Sequence, residues 1–182
     1  GYVRRECRIA MATNKSNWYK FRDTQLDKEQ YLMCKRAFRG GDTHANRIYT
    51  NKILTNVYSF DLKSSYPSWI LMDYFPVSKF MKCELNNPIK TEYYCRNYCV
   101  VMDITIYNPR VKPNTPFPYI DLAHCYQRHN IVNDNGRVLS ADMVTMTITN
   151  IDFQIILEEY DLDFYTVTDA IYANKGKMPD EL

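Results

Sequence analysis

Residues 60–71, FDLKSSYPSWIL, place an acidic group where two kinds of local structure meet. The β-branched and aromatic residues of 54–62, LTNVYSFDL, predict a strand that is buried at its end. Ser64, Ser65 and Pro67 are helix-start residues. Asp61 therefore leaves a rigid edge beside a helix N-terminus. Carboxylate oxygens in that position suit Mg²⁺, which keeps most of its waters and also takes phosphate oxygens. The free amides and positive dipole end of the helix then receive the anion. Tyr66, in the first turn, stands close to whatever sugar follows those phosphates. The same residues also spell an ordinary strand-to-helix turn, and their chemistry leaves both readings open.

Other reactive side chains are less organised. Cysteines fall at 7, 34, 83, 95, 99 and 125, with Cys95 and Cys99 the one close pair, and no second pair or histidine follows at zinc-ligand spacing. They read as reduced thiols, mostly buried, in a chain large enough to need no disulfides, which favours an intracellular setting. His44 and the His124, Cys125, His129 group match no tetrahedral spacing. Arg110, Lys112 and Arg128, with Tyr107, Phe117, Tyr119 and Tyr126 among them, form a basic and aromatic stretch that suits phosphate contact with stacking, or equally an irregular loop capped by tyrosines.

The 182 residues are 46% hydrophobic with a net charge of +2, the balance of a globular chain. That total hides an asymmetry. Residues 1–60 carry 12 Lys/Arg against 5 Asp/Glu, whereas residues 141–182 carry 2 against 9. A basic first third is a patch that meets phosphates, or one that pairs with the acidic end inside the fold. No apolar run approaches the roughly 20 residues of a spanning helix, and the basic start GYVRRECRIA has no apolar segment behind it, so neither membrane anchor nor signal peptide is expected.

Around these groups the pattern predicts α+β architecture with antiparallel sheet. TQLDKEQYLMCKRAF offers Thr24 and Asp27 as caps and a Met33, Cys34, Ala37, Phe38 stripe, with Gly40-Gly41 as its stop. YCVVMDITI alternates as a half-buried strand in which only Val101 is out of phase. Pro109, Pro113, Pro116 and Pro118 make 107–120 an irregular connector. Asn135-Gly136 signals a tight turn. DMVTMTIT is a further strand, Thr149 and Asp152 cap a short helix, and LDFYTVTDAIY resumes a strand. The closing KGKMPDEL has no stop signal and reads as a cut.

DLKSSYPS resembles motif A of the family B DNA polymerases: Asp, two variable residues, Ser, a variable residue, Tyr and Pro at the end of the first palm strand. Phe38 to Gly41, FRGG, about 20 residues upstream, resembles their YxGG motif. The long segment after motif A, ending in TNIDFQIILEEYDLDFY, is similar to the protein-primed phage subfamily, whose first terminal-protein region interrupts the palm there. The resemblance implies a partial palm of mostly antiparallel sheet with flanking helices over 1–73, an inserted small α+β subdomain over 74–172, and a truncated return towards palm and fingers over 173–182.

The resemblance further implies that Asp61 and the carbonyl of Leu62 ligate catalytic Mg²⁺ and that Ser64 and Ser65 lie along the incoming triphosphate. Tyr66 would stack under the deoxyribose and exclude a 2′-hydroxyl. Phe38, Arg39, Gly40 and Gly41 would contact template DNA, while Arg110, Lys112 and Arg128 would meet upstream duplex or the terminal protein primer. Two positions depart from the family pattern: Phe38 replaces Tyr, and Ser65 stands where many relatives have Leu. The Asp-Thr-Asp hairpin, the finger helix and the exonuclease carboxylates of the family do not occur, and Thr168-Asp169 supplies one carboxylate in what reads as an ordinary strand. The expectation is thus a polymerase fragment, inactive alone, in a phage-infected host's cytoplasm, with a DNA- or terminal-protein-binding module without catalysis as the alternative.

Overall fold

The computed structural model describes residues 24–41, 43, 45–63 and 65–177. Helix α1, Lys28–Ala37, starts at a reciprocal cap: the Asp27 side chain accepts from Gln30 N at 2.8 Å, and the Gln30 amide oxygen accepts from Asp27 N at 3.2 Å. It buries Gln30, Met33 and Ala37 and ends three residues before Gly40. Phe38 leaves the helix with extended backbone and an exposed ring, so the expected stripe stops one residue early.

Two long strands form the spine. β3, Tyr98–Tyr107, pairs antiparallel with β10, Phe164–Gly176, through ten register pairs interrupted by a bulge between Val167 and Asp169. β1 (Phe75–Pro76) and β2 (Met81–Lys82) pair with the outer edge of β10; beyond β3 lie β8 (Met143–Thr149) and then β5 (Cys125–His129). A second, four-stranded sheet has the order β6 (Val132–Asp134), β7 (Arg137–Ser140), β4 (Arg110–Val111), β9 (Tyr160–Asp161). Asn135 and Gly136 turn the β6–β7 hairpin with φ of 47° and 83°, the pair of left-handed residues that a type I′ turn needs.

Both faces of the main sheet are covered. Val100, Met102, Ile104 and Ile106 of β3 and Val144, Met146 and Ile148 of β8 are buried against Phe153 and Ile156 of helix α4 (Asn150–Glu159), Cys95 of helix α3 (Pro88–Asn97), and Ile120, Val138 and Tyr160. On the other face, Val101, Ile171 and Ala173 meet Met33 and Ala37 of α1 together with Phe80. Val101 is therefore apolar because α1 lies over it. All described strands come from residues 75–176, and the expected palm segment 1–73 meets the main sheet through α1; the expected division after 172 falls inside β10.

Two local expectations differ from the structure. Residues 54–62 form no strand; the segment is exposed along its length, with Phe60 90% accessible, because no described strand pairs with it. α3 was not foreseen, although Asn87 accepts from Lys90 N at 2.8 Å and Pro88 opens the first turn, both standard start signals. The four-proline connector is irregular as expected, apart from two-residue β4.

Tyr160 ties that connector down. Its buried hydroxyl donates to Val138 O at 2.7 Å and accepts from Ile120 N at 3.2 Å, and burial pushes its pKa up. Tyr160→Phe would leave a buried carbonyl and a buried amide unpaired, so unfolding stability should fall by about 2 kcal/mol and Tm by about 4–8 °C. Thermal and urea denaturation of the variant check this.

Candidate functional site

The chain leaves residues 57–62 as extended coil and enters helix α2, Ser65–Met72, with Pro67 as its third residue, within the first turn where proline is tolerated. Asp61 is solvent-exposed four residues before the helix begins. Tyr66 is 79% accessible, and Trp69, Ile70 and Met72 are also exposed. No acidic side chain occupies the first turn of α2. Ser65 is half-buried, Leu62 exposed, and Ser64 lies outside the described residues.

The second motif divides between surface and interior. Phe38 presents its ring to solvent. Gly40 and Gly41 stand in open space, where a Cβ would meet nothing within 4 Å. Arg39 points inward: its side chain is only 14% accessible, its guanidinium lies 4.9 Å from the Tyr119 ring centre, and its Nε is 3.8 Å from Asp152 Oδ1. Arg39, Gly40, Gly41, Tyr119, Asp121, His124 and Arg137 line a cavity of about 110 Å³. Arg47, between the two motifs, donates from Nε to Thr115 O at 2.7 Å and from Nη2 to the carbonyls of Lys112 and Pro113.

Each residue of the basic stretch has an internal partner. Arg110 pairs with Asp163 at 3.1 Å yet stays 65% accessible. Lys112 Nζ donates to the last carbonyls of α4, Leu157 O at 3.0 Å and Glu158 O at 2.8 Å. Arg128 makes a long contact of 3.4 Å to Leu122 O. Tyr107 stacks on Phe164 with ring centres 4.3 Å apart, whereas Tyr126 and Phe117 are exposed. Arg36 pairs with Asp103 at 2.9 Å, and the buried Arg39–Asp152 contact joins the basic first third to the acidic end of the chain.

Asp169 sits on β10 opposite Asp103, as a strand residue. Among the described residues no group of three or more His, Cys, Asp and Glu could hold a metal, which removes the His124, Cys125, His129 grouping; His44 lies outside them. Asp61 and the Leu62 carbonyl are hard oxygen donors of the right kind for Mg²⁺, but they are too few for a pair of ions. The five described cysteines are free thiols. Burial pushes Cys95 up to about 12 and Cys83 and Cys125 up to about 11, the reverse of what a nucleophile needs.

The chain thus presents an exposed carboxylate and a helix start, followed in sequence by an antiparallel sheet packed on both faces. The fold matches phi29 DNA polymerase in complex with primer-template DNA, with TM-score 0.67 and 15% identity over 94% of this chain. It also matches the same enzyme's ternary complex with primer-template DNA and incoming nucleotides, at TM-score 0.64 and 19% identity over 84% of this chain. A third match is that polymerase with single-stranded DNA, at TM-score 0.60 and 18% identity over 84% of this chain. The chain spans 24–28% of the length of those structures. A family model for DNA polymerase type B, organellar and viral, matches residues 8–167, and the chain belongs to that family. No curated protein matches the sequence.

The buried thiols also set a pH dependence. Their folded pKa values lie above the ordinary 9.0, so the unfolded chain loses these protons first and stability falls as pH rises from about 9 towards 11. Urea midpoints at pH 8 and pH 10 should show the decline, and Cys95→Ala with Cys125→Ala should make it shallower.

Proposed function

We propose that this chain is part of a protein-primed, DNA-directed DNA polymerase, in which residues 1–73 contribute the start of the palm, residues 74–172 are the inserted terminal-protein region and residues 173–182 begin the return towards palm and fingers. Membership in the type B polymerase family supports the nucleotidyltransferase class. The observation that carries the reading is the exposed Asp61 ahead of α2, whose first turn holds no acidic side chain and exposes Tyr66.

In the complete enzyme Asp61 and the Leu62 carbonyl would hold Mg²⁺, which supplies neutralisation of the phosphate charge when bound. Ser64, Ser65 and the first amides of α2 receive the triphosphate, and the Tyr66 ring fills the space of a 2′-hydroxyl. Template DNA is met by the Phe38 ring and the bare backbone of Gly40 and Gly41. Packing within the chain does not explain why those positions lack side chains, whereas close approach by an external strand does. Arg110, Lys112 and Arg128 would meet upstream duplex or the terminal protein, and the setting would be the host cytoplasm. No described helix is long and apolar enough to cross a membrane.

One carboxylate does not make a two-ion centre, so primer extension by the isolated chain with Mg²⁺ and dNTPs should give no product. Extension that disappeared in Asp61→Ala would overturn the fragment reading. Duplex and single-stranded DNA should bind without sequence preference, and the logarithm of the binding constant should fall linearly with the logarithm of salt, by roughly 0.7–0.9 per phosphate contact. Fluorescence anisotropy across a salt series measures this, and no binding at low salt would remove the DNA-contact proposal.

A further inference from the structure

We propose that Arg39 is a positioning residue that fastens the Phe38–Gly41 segment to the cap of helix α4, and that it does not itself contact a nucleic-acid phosphate. This rests on the reading that the segment meets template DNA, and it assigns the work within the segment.

A phosphate-contacting arginine presents its guanidinium to solvent. Arg39 does the opposite. Its Nη1 reaches the Tyr119 carbonyl at 3.5 Å and its Nη2 lies 3.8 Å from Met146 Sδ, while the plane covers the Tyr119 ring. The buried Nε has no hydrogen-bond acceptor, so the group is held by the Asp152 charge and by the ring. Asp152 in turn is the N3 partner of Thr149 in the capping box of α4: its Oδ2 accepts from Thr149 N at 2.7 Å and from Thr149 Oγ1 at 2.8 Å, and its Oδ1 accepts from the Tyr119 hydroxyl. One carboxylate thereby joins the FRGG segment, the proline-rich connector and the start of α4.

Arg47 repeats the device eight residues on. Its backbone N–H donates to Pro116 O at 3.1 Å while its side chain holds the carbonyls of residues 112, 113 and 115. Residues 39 and 47 therefore anchor the beginning of the stretch that leads from FRGG towards Asp61, and both sets of partners lie in the segment that follows motif A. A lysine keeps the charge but has neither the planar face for Tyr119 nor the reach of two nitrogens.

The experiment uses the full chain and three variants, Arg39→Lys, Arg39→Met and Asp152→Asn, with DNA affinity measured by anisotropy over a salt series. A positioning role requires Arg39→Lys and Arg39→Met to weaken binding alike, by about tenfold, with the slope against salt unchanged. It also requires Asp152→Asn combined with Arg39→Met to add little to either alone. Retained affinity in Arg39→Lys, with a slope in Arg39→Met lower by about 0.9, would overturn the proposal and make Arg39 a phosphate ligand. Hydrogen exchange of the amides at 38–41 is the second readout and is independent of DNA. Faster exchange in Arg39→Lys, with the sheet amides still protected, supports the anchor even if the chain binds no DNA, and unchanged exchange sinks it.

Discussion

The antiparallel pairing of β3 with β10 is the constraint on which the other elements depend. Ten register pairs in two adjacent strands fix which side chains face each way, and a slip of one residue would turn Met102, Ile104 and Ile106 towards α1 and solvent. With the register held, α3, α4 and the second sheet close over one face and α1 closes over the other. The covering elements come from both ends of the chain. Residues before motif A and residues after it are consequently parts of one packed unit, and the Gly40-Gly41 segment inherits its place from that unit through Arg39 and Arg47.

What was legible in the sequence was what short-range chemistry decides. Asp27 as a cap, Thr149 with Asp152, and Asn135 with Gly136 each act within four residues, and each is found doing what its type and spacing require. The alternation of β3 and β8 survives because their apolar faces have a core to meet. α3 was missed although its start carries Asn87 and Pro88, because its apolar residues Ile89, Tyr93, Tyr94 and Cys95 make a weak helical stripe. Residues 54–62 mislead in the opposite direction. Their β-rich composition suits a strand, but a strand needs a neighbour, and within the described chain none is offered.

The site was legible by type and not by contact. The order Asp61, Ser64, Tyr66, Pro67 and the placement of Phe38 to Gly41 are linear features, and they led to the family that the chain belongs to. That Arg39 turns inward is a property of Tyr119 and Asp152, which lie 80 and 113 residues away. The basic stretch shows the same limit. Its composition suggests a surface reserved for phosphates, whereas Lys112 spends its ammonium on the end of α4 and Arg110 shares its charge with Asp163.

The bare apolar run from Ile53 through Met72 has a practical consequence for the protein in solution. Ile53, Val57, Tyr58, Phe60, Leu62, Tyr66 and Trp69 are all largely uncovered, an oily ribbon longer than soluble monomers usually tolerate. Copies of the chain at high concentration will find one another's ribbons, and sulfate or phosphate buffers, which strengthen apolar burial, will drive them into clumps sooner. Colloidal behaviour in storage is thereby governed by the same few side chains that stand beside Asp61.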